Sequence, residues 1–546
     1  MLSHIFPEPL KPFFRLIAFT AIWWVAVDSY PLWRAAAAAD FSPTLYATLG
    51  LALVLLFEAL LLLASSFTGP RVFKALLVLL SAIGAGAFAF SLLFNAAMSP
   101  EMMRNALETD TREARELLTP ALFGLVATAL LPPALAAWKT LIPKRAVKPR
   151  LGSAGLALLC MALAAGSVLA GFQDISIFMR EHKEVRYLIA PVNILYSATS
   201  TMLRDQSADS VKERTPVDAS PALSVAALSS PRPLILAVVV GETARAENWG
   251  LSGYERDTTP ELKHEGVLNF SDMTSCGTAT AVSLPCMMSR VGRRDYDRDR
   301  ILSEEALPSL LKRAGTSVAW IDNQSGCKGA CDGVTTLVPA KDLPSEEQKK
   351  FCPAGECFDE ALIPYVKRED GAKAPVTVLF LHMMGSHGPT YSKRYPEGFA
   401  KWMPTCDSAN VQSCKAEELK NGYDNSIAYT DHTVSEMIRA LKEKKNADTA
   451  LLYVSDHGES LGEKGLFLHG APWMMAPAEQ TRIPMVLWMS DTFRSRLSIN
   501  AGCMEAAAAR PASHDNLWST ILGLAQVKSS AYDSSLDLTR ACRPQG

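Results

Sequence analysis

The sequence has almost no net charge, because 54 lysine and arginine residues are balanced by 56 aspartate and glutamate residues among 546. A formal charge of −2 gives no indication of a nucleic-acid partner, which a basic chain would suggest. We find no internal repeat. The chain is longer than one ordinary domain, so we expect two or more domains.

Charge is also scarce in five long apolar runs within the first 172 residues, and the last run has none. Each run is about as long as a helix must be to cross the ~30 Å hydrocarbon core of a membrane. Buried helices of a soluble protein are the alternative, but five such runs in succession disfavour it. The first run is too long for a cleaved signal peptide and lacks a small-residue cleavage site. The runs are residues 13–33, 46–66, 72–98, 119–138 and 151–172.

Basic residues near these runs predict the orientation of the chain. If the chain crosses the membrane five times, three clusters of basic residues lie on one side, and the positive-inside rule places that side in the cytoplasm. The part of the chain from about residue 173 then lies outside. The clusters are Lys11 and Arg15, then Arg71 and Lys74, then Lys139, Lys144, Arg145, Lys148 and Arg150.

Cysteine is scarce in the first half of the chain, where only Cys160 occurs, inside the fifth run. The other ten cysteines lie in the part predicted to be outside, where an oxidising compartment favours disulfides. Thiolate zinc sites are the alternative, but no two CxxC pairs occur. Four pairs are close neighbours, Cys276/Cys286, Cys327/Cys331, Cys352/Cys357 and Cys406/Cys414, and Cys503 and Cys542 remain.

The composition divides the chain into three parts. Residues 1–172 form the predicted transmembrane domain. Residues 173–232 begin with one or two amphipathic helices expected on the membrane surface and end in a linker rich in Ser, Pro and Asp. Residues 233–546 alternate short apolar runs, rich in β-branched residues, with helical stretches. That pattern predicts an α/β domain with buried parallel strands at 234–240, 317–322, 376–382, 450–455 and 483–489.

Acidic residues and histidines follow three of these strands. Glu242 comes after the first, His387 after the third, and Asp456 with His457 after the fourth. Ligands of such sheets gather at the carboxyl ends of the strands. Each residue alone could belong to a helix cap, a turn or a solvated loop. Together they favour a metal centre, with oxygen and imidazole ligands that suit Zn²⁺, or Mn²⁺ if fewer nitrogens bind.

Hydroxyl residues between Cys276 and Cys286 offer a nucleophile. Thr278, Thr280 and Ser283 all lie there. A nearby metal would lower the pKa of a hydroxyl, and a helix starting near Thr280 would favour negative charge at its first turn. An ordinary N-cap threonine explains these residues equally well. Without a nucleophile, the metal centre would serve a hydrolase that uses water.

Four long motifs and the five-run amino-terminal region resemble the lipid A phosphoethanolamine transferases, which include the mobile colistin-resistance enzymes. The resemblance covers nearly the whole chain and implies an alkaline phosphatase-like fold for the α/β domain. It also implies that Thr280 is the nucleophile and that Glu242, Asp456, His457 and Thr280 bind Zn²⁺. The motifs are "GETARAENWGLSGYERDTTPEL", "SCGTATAVSLPCM", "LHMMGSHGPTY" and "SDHGESLGEKGLFLHG".

The resemblance implies further roles for residues around this centre. His387 and His469 match histidines that handle the phosphoryl group or a second metal. Gln324 and Lys328 match contacts of the donor head group. Asn105 and Glu113 match a pair in the loop near the ethanolamine of the donor. The family also pairs cysteines locally, in agreement with the neighbouring pairs above.

The implied activity is transfer of phosphoethanolamine from phosphatidylethanolamine to a phosphate of lipid A through a covalent phosphothreonine-type intermediate, which confers resistance to polymyxin and other cationic peptides. We expect a monomeric, multi-pass protein of the bacterial inner membrane with its catalytic domain in the periplasm. Core heptose or glucan are alternative acceptors, and a phosphoglycerol transferase or a catalytically inactive sensor or transport partner are alternative functions. A sulfatase is disfavoured because the chain has no C/S-x-P-x-R motif.

Overall fold

The computed structural model describes residues 10–38, 42–95, 97–108, 117–143, 147–181, 183–209, 214–408 and 411–544. These residues form two compact units. The first comprises residues 10–104 and 117–202, and the second comprises residues 105–108 and 203–544.

The first unit is helical, as predicted. Four described helices are long and apolar enough to cross a membrane, namely Pro43–Phe67, Pro70–Phe94, Pro120–Lys139 and the segment Arg150–Ala170 of helix Val147–Ala170. A fifth span results if the bent pair Lys11–Asp28 and Tyr30–Ala38 counts as one. The remaining helices of the amino-terminal region are Pro100–Glu108, Phe172–Glu181, the 3-10 helix Lys183–Leu188, and Val192–Asp209.

The first predicted span differs from a straight helix. The chain bends by 48° at Ser29, after a π-helical turn at Trp24–Asp28. Pro31 is the second residue of the next helix, and its ring nitrogen cannot donate the hydrogen bond that a continuous helix requires. A proline at the start of a helix is tolerated, so the chain begins a second helix at Tyr30.

Helices are present where the sequence predicted amphipathic helices, but the predicted linker is not a free connector in its described part. Thr215 pairs with Glu304, and strand Ala222–Leu223 pairs with strand Val527–Lys528. Helix Val225–Ser229 follows and buries Ala227. Residues 214–232 are therefore an integral part of the second unit.

An eight-stranded sheet forms the centre of the second unit. In chain order its strands are β1 (Leu234–Gly241), β2 (Leu268–Thr274), β3 (Ser317–Asp322), β4 (Thr335–Leu337), β5 (Val376–His382), β6 (Asp448–Ser455), β7 (Arg482–Met489) and β8 (Ala512–Ser513). Their spatial order is β8-β2-β7-β6-β1-β5-β3-β4, and β7 is the strand that runs antiparallel to both of its neighbours.

All five strand segments predicted from the sequence lie in this sheet, although β7 is antiparallel rather than parallel. Fully buried apolar strands such as β1, β5 and β6 form the middle of the sheet, which is why their runs are continuous rather than alternating. Helices cover both faces. They are Pro260–Glu265, Thr280–Met287, Arg298–Ser303, Leu307–Arg313, Pro339–Asp342, Ser345–Phe351, Ile363–Arg368, Ala416–Lys442, Ala478–Thr481, Asp491–Leu497, Ala501–Ala508 and Leu517–Leu524.

Ten cysteines of this unit form five disulfides, so the disulfides predicted from the sequence are confirmed. Cys160, in helix Val147–Ala170, is not in a disulfide. The pairs are Cys276–Cys286, Cys327–Cys331, Cys352–Cys357, Cys406–Cys414 and Cys503–Cys542.

Candidate active site

The ends of two neighbouring parallel strands bring three of the predicted ligands together. Gly241 at the end of β1 is in register with Ser455 at the end of β6, and the Asp456 amide donates to the Gly241 carbonyl at 2.9 Å. Glu242 and Asp456 therefore emerge side by side at the carboxyl edge of the sheet. His457 follows at once, and all three side chains are fully buried.

The three side chains form a compact cluster that could hold a metal ion. One potential ligand atom from each lies within 4.8 Å of the others. His457 Nε2 is 3.2 Å from Glu242 Oε1 and 3.5 Å from Asp456 Oδ2. His457 Nδ1 contacts the Gly458 carbonyl at 2.9 Å, which directs Nε2 toward the carboxylates.

Thr280 completes this cluster. Its Oγ1 lies 3.0 and 3.1 Å from the two carboxylate oxygens of Glu242 and 3.4 Å from His457 Nε2. Thr280 is also the first residue of helix Thr280–Met287, where the free amides of the first turn favour negative charge. Of the three hydroxyl candidates, Thr280 contacts the side chains of the cluster, whereas Thr278 donates to the main-chain carbonyl of Ala471 and Ser283 to that of Asp456.

A buried histidine that sequence reasoning missed fixes the segment that carries Thr280. His514 Nδ1 accepts from the Cys276 amide at 2.9 Å, and its Nε2 donates to the Ser455 carbonyl at the end of β6, also at 2.9 Å. Burial lowers the pKa of His514 to about 3, so the ring is neutral and can accept and donate at once. No strand-end pattern marks this residue, since it follows the two-residue strand β8.

Glu242, Asp456 and His457 shift one another's pKa values. Burial alone would raise the pKa of Glu242, but the hydrogen bond and charge of His457 hold it well below its usual range. Burial and the neighbouring charge of Glu242 raise the pKa of Asp456 to about 6. Burial opposes protonation of His457, yet Asp456 and Glu242 raise its pKa to about 10.

These residues fit a zinc ion. Asp456 Oδ2 is buried and has no hydrogen-bond partner in the described part of the chain, as expected of an atom placed for a cation. Among the described residues, the ion-pair partner of both carboxylates is His457 rather than a lysine or arginine. Two carboxylates, one imidazole and one hydroxyl form a set of oxygen and nitrogen donors that zinc accepts.

His387 and His469 lie beside the cluster. The His469 ring centroid is 4.5 Å from that of His457 and 5.5 Å from that of His387. Glu459, which sequence reasoning missed, holds His469, because its carboxylate is 2.8 Å from His469 Nδ1 and also accepts from Tyr391 at 2.5 Å. Its place in "SDHGES", two residues after His457, was the signal that could have identified it.

The residues predicted to contact the donor head group lie in different parts of the structure. Gln324, which follows β3, donates to Glu242 Oε2 at 2.8 Å and so belongs to the cluster. Lys328 lies in the loop closed by Cys327–Cys331, where its Nζ donates to the Ser325 carbonyl at 3.4 Å. Asn105 lies in helix Pro100–Glu108, and Glu113 lies outside the described residues.

Comparison with known proteins identifies the family. Residues 235–527 match the family model described as Sulfatase, and residues 55–206 match the model described as Phosphoethanolamine transferase EptA/EptB. The chain is 36% identical over 468 residues to phosphoethanolamine transferase EptA of Escherichia coli K12, covering 84% of each chain. The chain belongs to the phosphoethanolamine transferase family. The family and the alkaline phosphatase-like fold predicted from the motifs are thus confirmed.

Other members of the family extend this comparison. Phosphatidylethanolamine transferase Mcr-1 of Escherichia coli is 35% identical over 485 residues, which is 87% of either chain. The structure of an integral membrane protein, lipooligosaccharide phosphoethanolamine transferase A from Neisseria meningitidis, superposes with a TM-score of 0.90 at 35% identity, covering 97% of this chain and 99% of that one. The Kdo(2)-lipid A phosphoethanolamine 7''-transferase of Escherichia coli K12 matches only 52% of this chain, at 34% identity.

Proposed function

We propose that this phosphoethanolamine transferase moves phosphoethanolamine from phosphatidylethanolamine to a phosphate of lipid A, with Thr280 as the nucleophile. The contact of Thr280 Oγ1 with both oxygens of Glu242 carries this proposal, because it places a hydroxyl against a proton acceptor at a helix N-terminus. The names of the relatives support donor and acceptor, since they refer to phosphatidylethanolamine, lipooligosaccharide and Kdo(2)-lipid A.

Glu242, Thr280, Asp456 and His457 would hold a zinc ion. When bound there, zinc would supply positive charge that lowers the pKa of a hydroxyl and neutralises phosphoryl oxygens. The geometry supports this assignment, because Glu242, Asp456 and His457 each offer one ligand atom within 4.8 Å of the others, and Asp456 Oδ2 is buried without a hydrogen-bond partner among the described residues. All four residues come from one chain, in keeping with a monomer.

The reaction would proceed in two displacements. Thr280 Oγ1 gives its proton to the Glu242 carboxylate that it contacts and bonds to the phosphorus of the donor, and the bond from phosphorus to the glycerol oxygen breaks. Diacylglycerol leaves with a proton supplied by His387 or His469, and phosphoethanolamine remains on Thr280. An oxygen of a lipid A phosphate then gives its proton to the same histidine and bonds to the phosphorus. The bond from phosphorus to Thr280 Oγ1 breaks, and Thr280 takes its proton back from Glu242.

Glu459 would make His469 effective in proton transfer. A carboxylate on Nδ1 fixes the tautomer and the orientation of the ring, and it leaves Nε2 as the nitrogen that would exchange a proton. The contact of His469 with the rings of His457 and His387 keeps that nitrogen near the cluster.

In this proposal, the protein lies in the bacterial inner membrane with its catalytic domain in the periplasm. Both lipid substrates are then available to one active site. The product gains an ammonium group, which reduces the attraction of the cell surface for polymyxin and other cationic peptides. Core heptose, glucan and Kdo remain alternative acceptors, because every acceptor uses the same first displacement.

Mass spectrometry of lipid A from cells with and without the gene tests the acceptor. We expect one added phosphoethanolamine on a lipid A phosphate in cells that carry the gene, and no addition in cells that carry a Thr280→Ala variant. Unmodified lipid A together with phosphoethanolamine on the core sugars or on glucan would refute this acceptor. Added glycerol phosphate would refute the donor.

A further inference from the structure

The turn that follows β5 packs against the main chain of Glu242. The Met383 amide donates to the Val240 carbonyl at 2.9 Å, and the Ser386 amide donates to the Glu242 carbonyl at 3.0 Å. Gly385, with a φ of +54°, lies so close that a Cβ there would be 2.5 Å from the Glu242 carbonyl oxygen. The turn therefore determines where the Glu242 backbone sits.

A buried carboxylate outside the sheet holds this turn in place. Asp359 Oδ1 accepts from the Met384 amide and Oδ2 from the Gly385 amide, both at 2.8 Å. Only 2% of Asp359 is exposed. Two successive amides on one carboxylate fix the plane of the peptide between Met384 and Gly385, which is the part of the turn nearest Glu242.

Asp359 is also connected to the side chain of Glu242, through Asn323 and Gln324. Its Oδ1 also accepts from Asn323 Nδ2 at 2.8 Å, and Asn323 itself is tied to β5 because its amide donates to the His382 carbonyl at 2.9 Å. Asn323 directly precedes Gln324, whose Nε2 donates to Glu242 Oε2 at 2.8 Å. The same carboxylate thus holds both the backbone support and the side-chain partner of Glu242.

We propose that Asp359 is a positioning residue for Glu242, acting through the turn Met384–Ser386 and through Asn323. It touches neither the proposed nucleophile nor the other proposed ligands, so its effect on the reaction is indirect. Partners of this kind behind a metal ligand determine how well the ligand is oriented. The inference deepens the proposed function, because it assumes that Glu242 is a zinc ligand.

Asp359→Asn tests the proposal with little change in volume. The amide offers one acceptor oxygen in place of two, so one of the three donors loses its partner and the turn can shift. Asp431→Asn is a matched control, because Asp431 is equally buried and accepts from the amides of Glu261 and Leu262 at 2.9 and 2.8 Å, on a helix that contacts none of the proposed ligands.

Full-length protein of each variant is compared in three measurements: thermal unfolding midpoint, zinc affinity by competition with a chelator, and kcat and KM for phosphatidylethanolamine. We expect both variants to unfold at lower temperature. Of the two variants, Asp359→Asn alone should weaken zinc binding and lower kcat, each by about tenfold or more, with KM unchanged. Asp431→Asn should stay within about twofold of wild type in zinc affinity, kcat and KM.

Zinc affinity and kcat of Asp359→Asn within about twofold of Asp431→Asn would overturn the proposal. If Asp359→Asn does not fold, Gly385→Ala decides, because its Cβ disturbs the same contact with Glu242 from the other side. Normal zinc affinity in folded Gly385→Ala would likewise overturn it. Wild-type protein that neither binds zinc nor transfers phosphoethanolamine would refute the proposed function instead, so the two failures are distinguishable.

Discussion

Glu242 is the residue on which the contacts of the site converge. Thr280, His457 and Gln324 all contact its carboxylate, and the turn after β5 holds its backbone. Asp456 emerges from the adjacent strand and contributes a buried oxygen, Oδ2, that has no hydrogen-bond partner among the described residues. At the scale of single residues, the proposed site therefore requires that the neighbouring carboxylates of Glu242 and Asp456 bind one cation together.

Replacing Asp456 tests that dependence. Asp456→Asn should lower zinc affinity by about a hundredfold and abolish transfer, because it removes the charge of one proposed ligand and leaves Glu242, Thr280 and His457 to hold the ion. Asp448→Asn is the control, since Asp448 begins the same strand but pairs with Arg232 and Arg496 at its other end. Zinc content measured on folded Asp456→Asn that equals that of Asp448→Asn would contradict the ligand assignment.

The meeting of the proposed ligands at one edge of the sheet was predictable from the sequence, whereas the residues that hold them in place were not. Glu242, Asp456 and His457 follow buried apolar runs, and the carboxyl ends of parallel strands meet at one edge of the sheet. His514 and Asp359 come after a two-residue strand and at the start of a 3-10 turn. Their roles depend on long-range hydrogen bonds, which no local pattern in the sequence encodes.

At the scale of elements, helix Thr280–Met287 and the strand before it position Thr280, the proposed nucleophile. Sequence reasoning missed that strand, β2, because "LNFSDMT" mixes polar with apolar residues and only two of its seven side chains are buried. β2 lies two strands away from β6, beyond the antiparallel β7. β2 and β6 therefore run in the same direction, and the carboxyl end of β2 lies at the same edge of the sheet as the carboxyl ends of β1 and β6. This explains why Thr280, which follows β2, contacts Glu242.

The disulfide Cys276–Cys286 joins the two ends of the segment that carries Thr280, so its removal can be compared with the removal of a second disulfide. Replacing both cysteines by alanine should cost about 3 kcal/mol of unfolding free energy, and removing Cys503–Cys542 should cost about 4 kcal/mol because it closes a longer loop. Only loss of Cys276–Cys286 should also lower kcat of the folded enzyme, since that bridge holds the start of the Thr280 helix. Equal kcat in the two folded variants, measured beside their unfolding curves, would contradict this role.

At the scale of the whole molecule, the division into an apolar helical part and a cysteine-rich α/β part follows from composition alone. The five apolar runs correspond to four described helices and one bent pair. The break at Ser29 was not predicted, because hydropathy averages over Pro31 and does not register a missing hydrogen-bond donor. The linker before β1 was also misjudged, because the docking of Ala222–Leu223 depends on a partner strand some 300 residues later.

Counting thiols tests the predicted compartments of the whole chain. Denatured, unreduced full-length protein from oxidising periplasmic conditions should bind one equivalent of a thiol reagent, at Cys160, and reduction should raise this to eleven. Cys160→Ala serves as the control and should bind none before reduction. Several reactive thiols in the unreduced wild-type chain would argue against a periplasmic location for the α/β domain.

The central claim is that Thr280 carries the transferred group. Full-length wild-type protein is incubated with phosphatidylethanolamine and no acceptor, digested with trypsin, and examined by fragmentation mass spectrometry. The account predicts one phosphoethanolamine on the peptide that contains Thr278, Thr280 and Ser283, with fragment ions that place it on Thr280, and no adduct on Thr280→Ala despite zinc retained through the other three ligands. An adduct on Thr278 or Ser283, or release of diacylglycerol with no adduct at all, would contradict it.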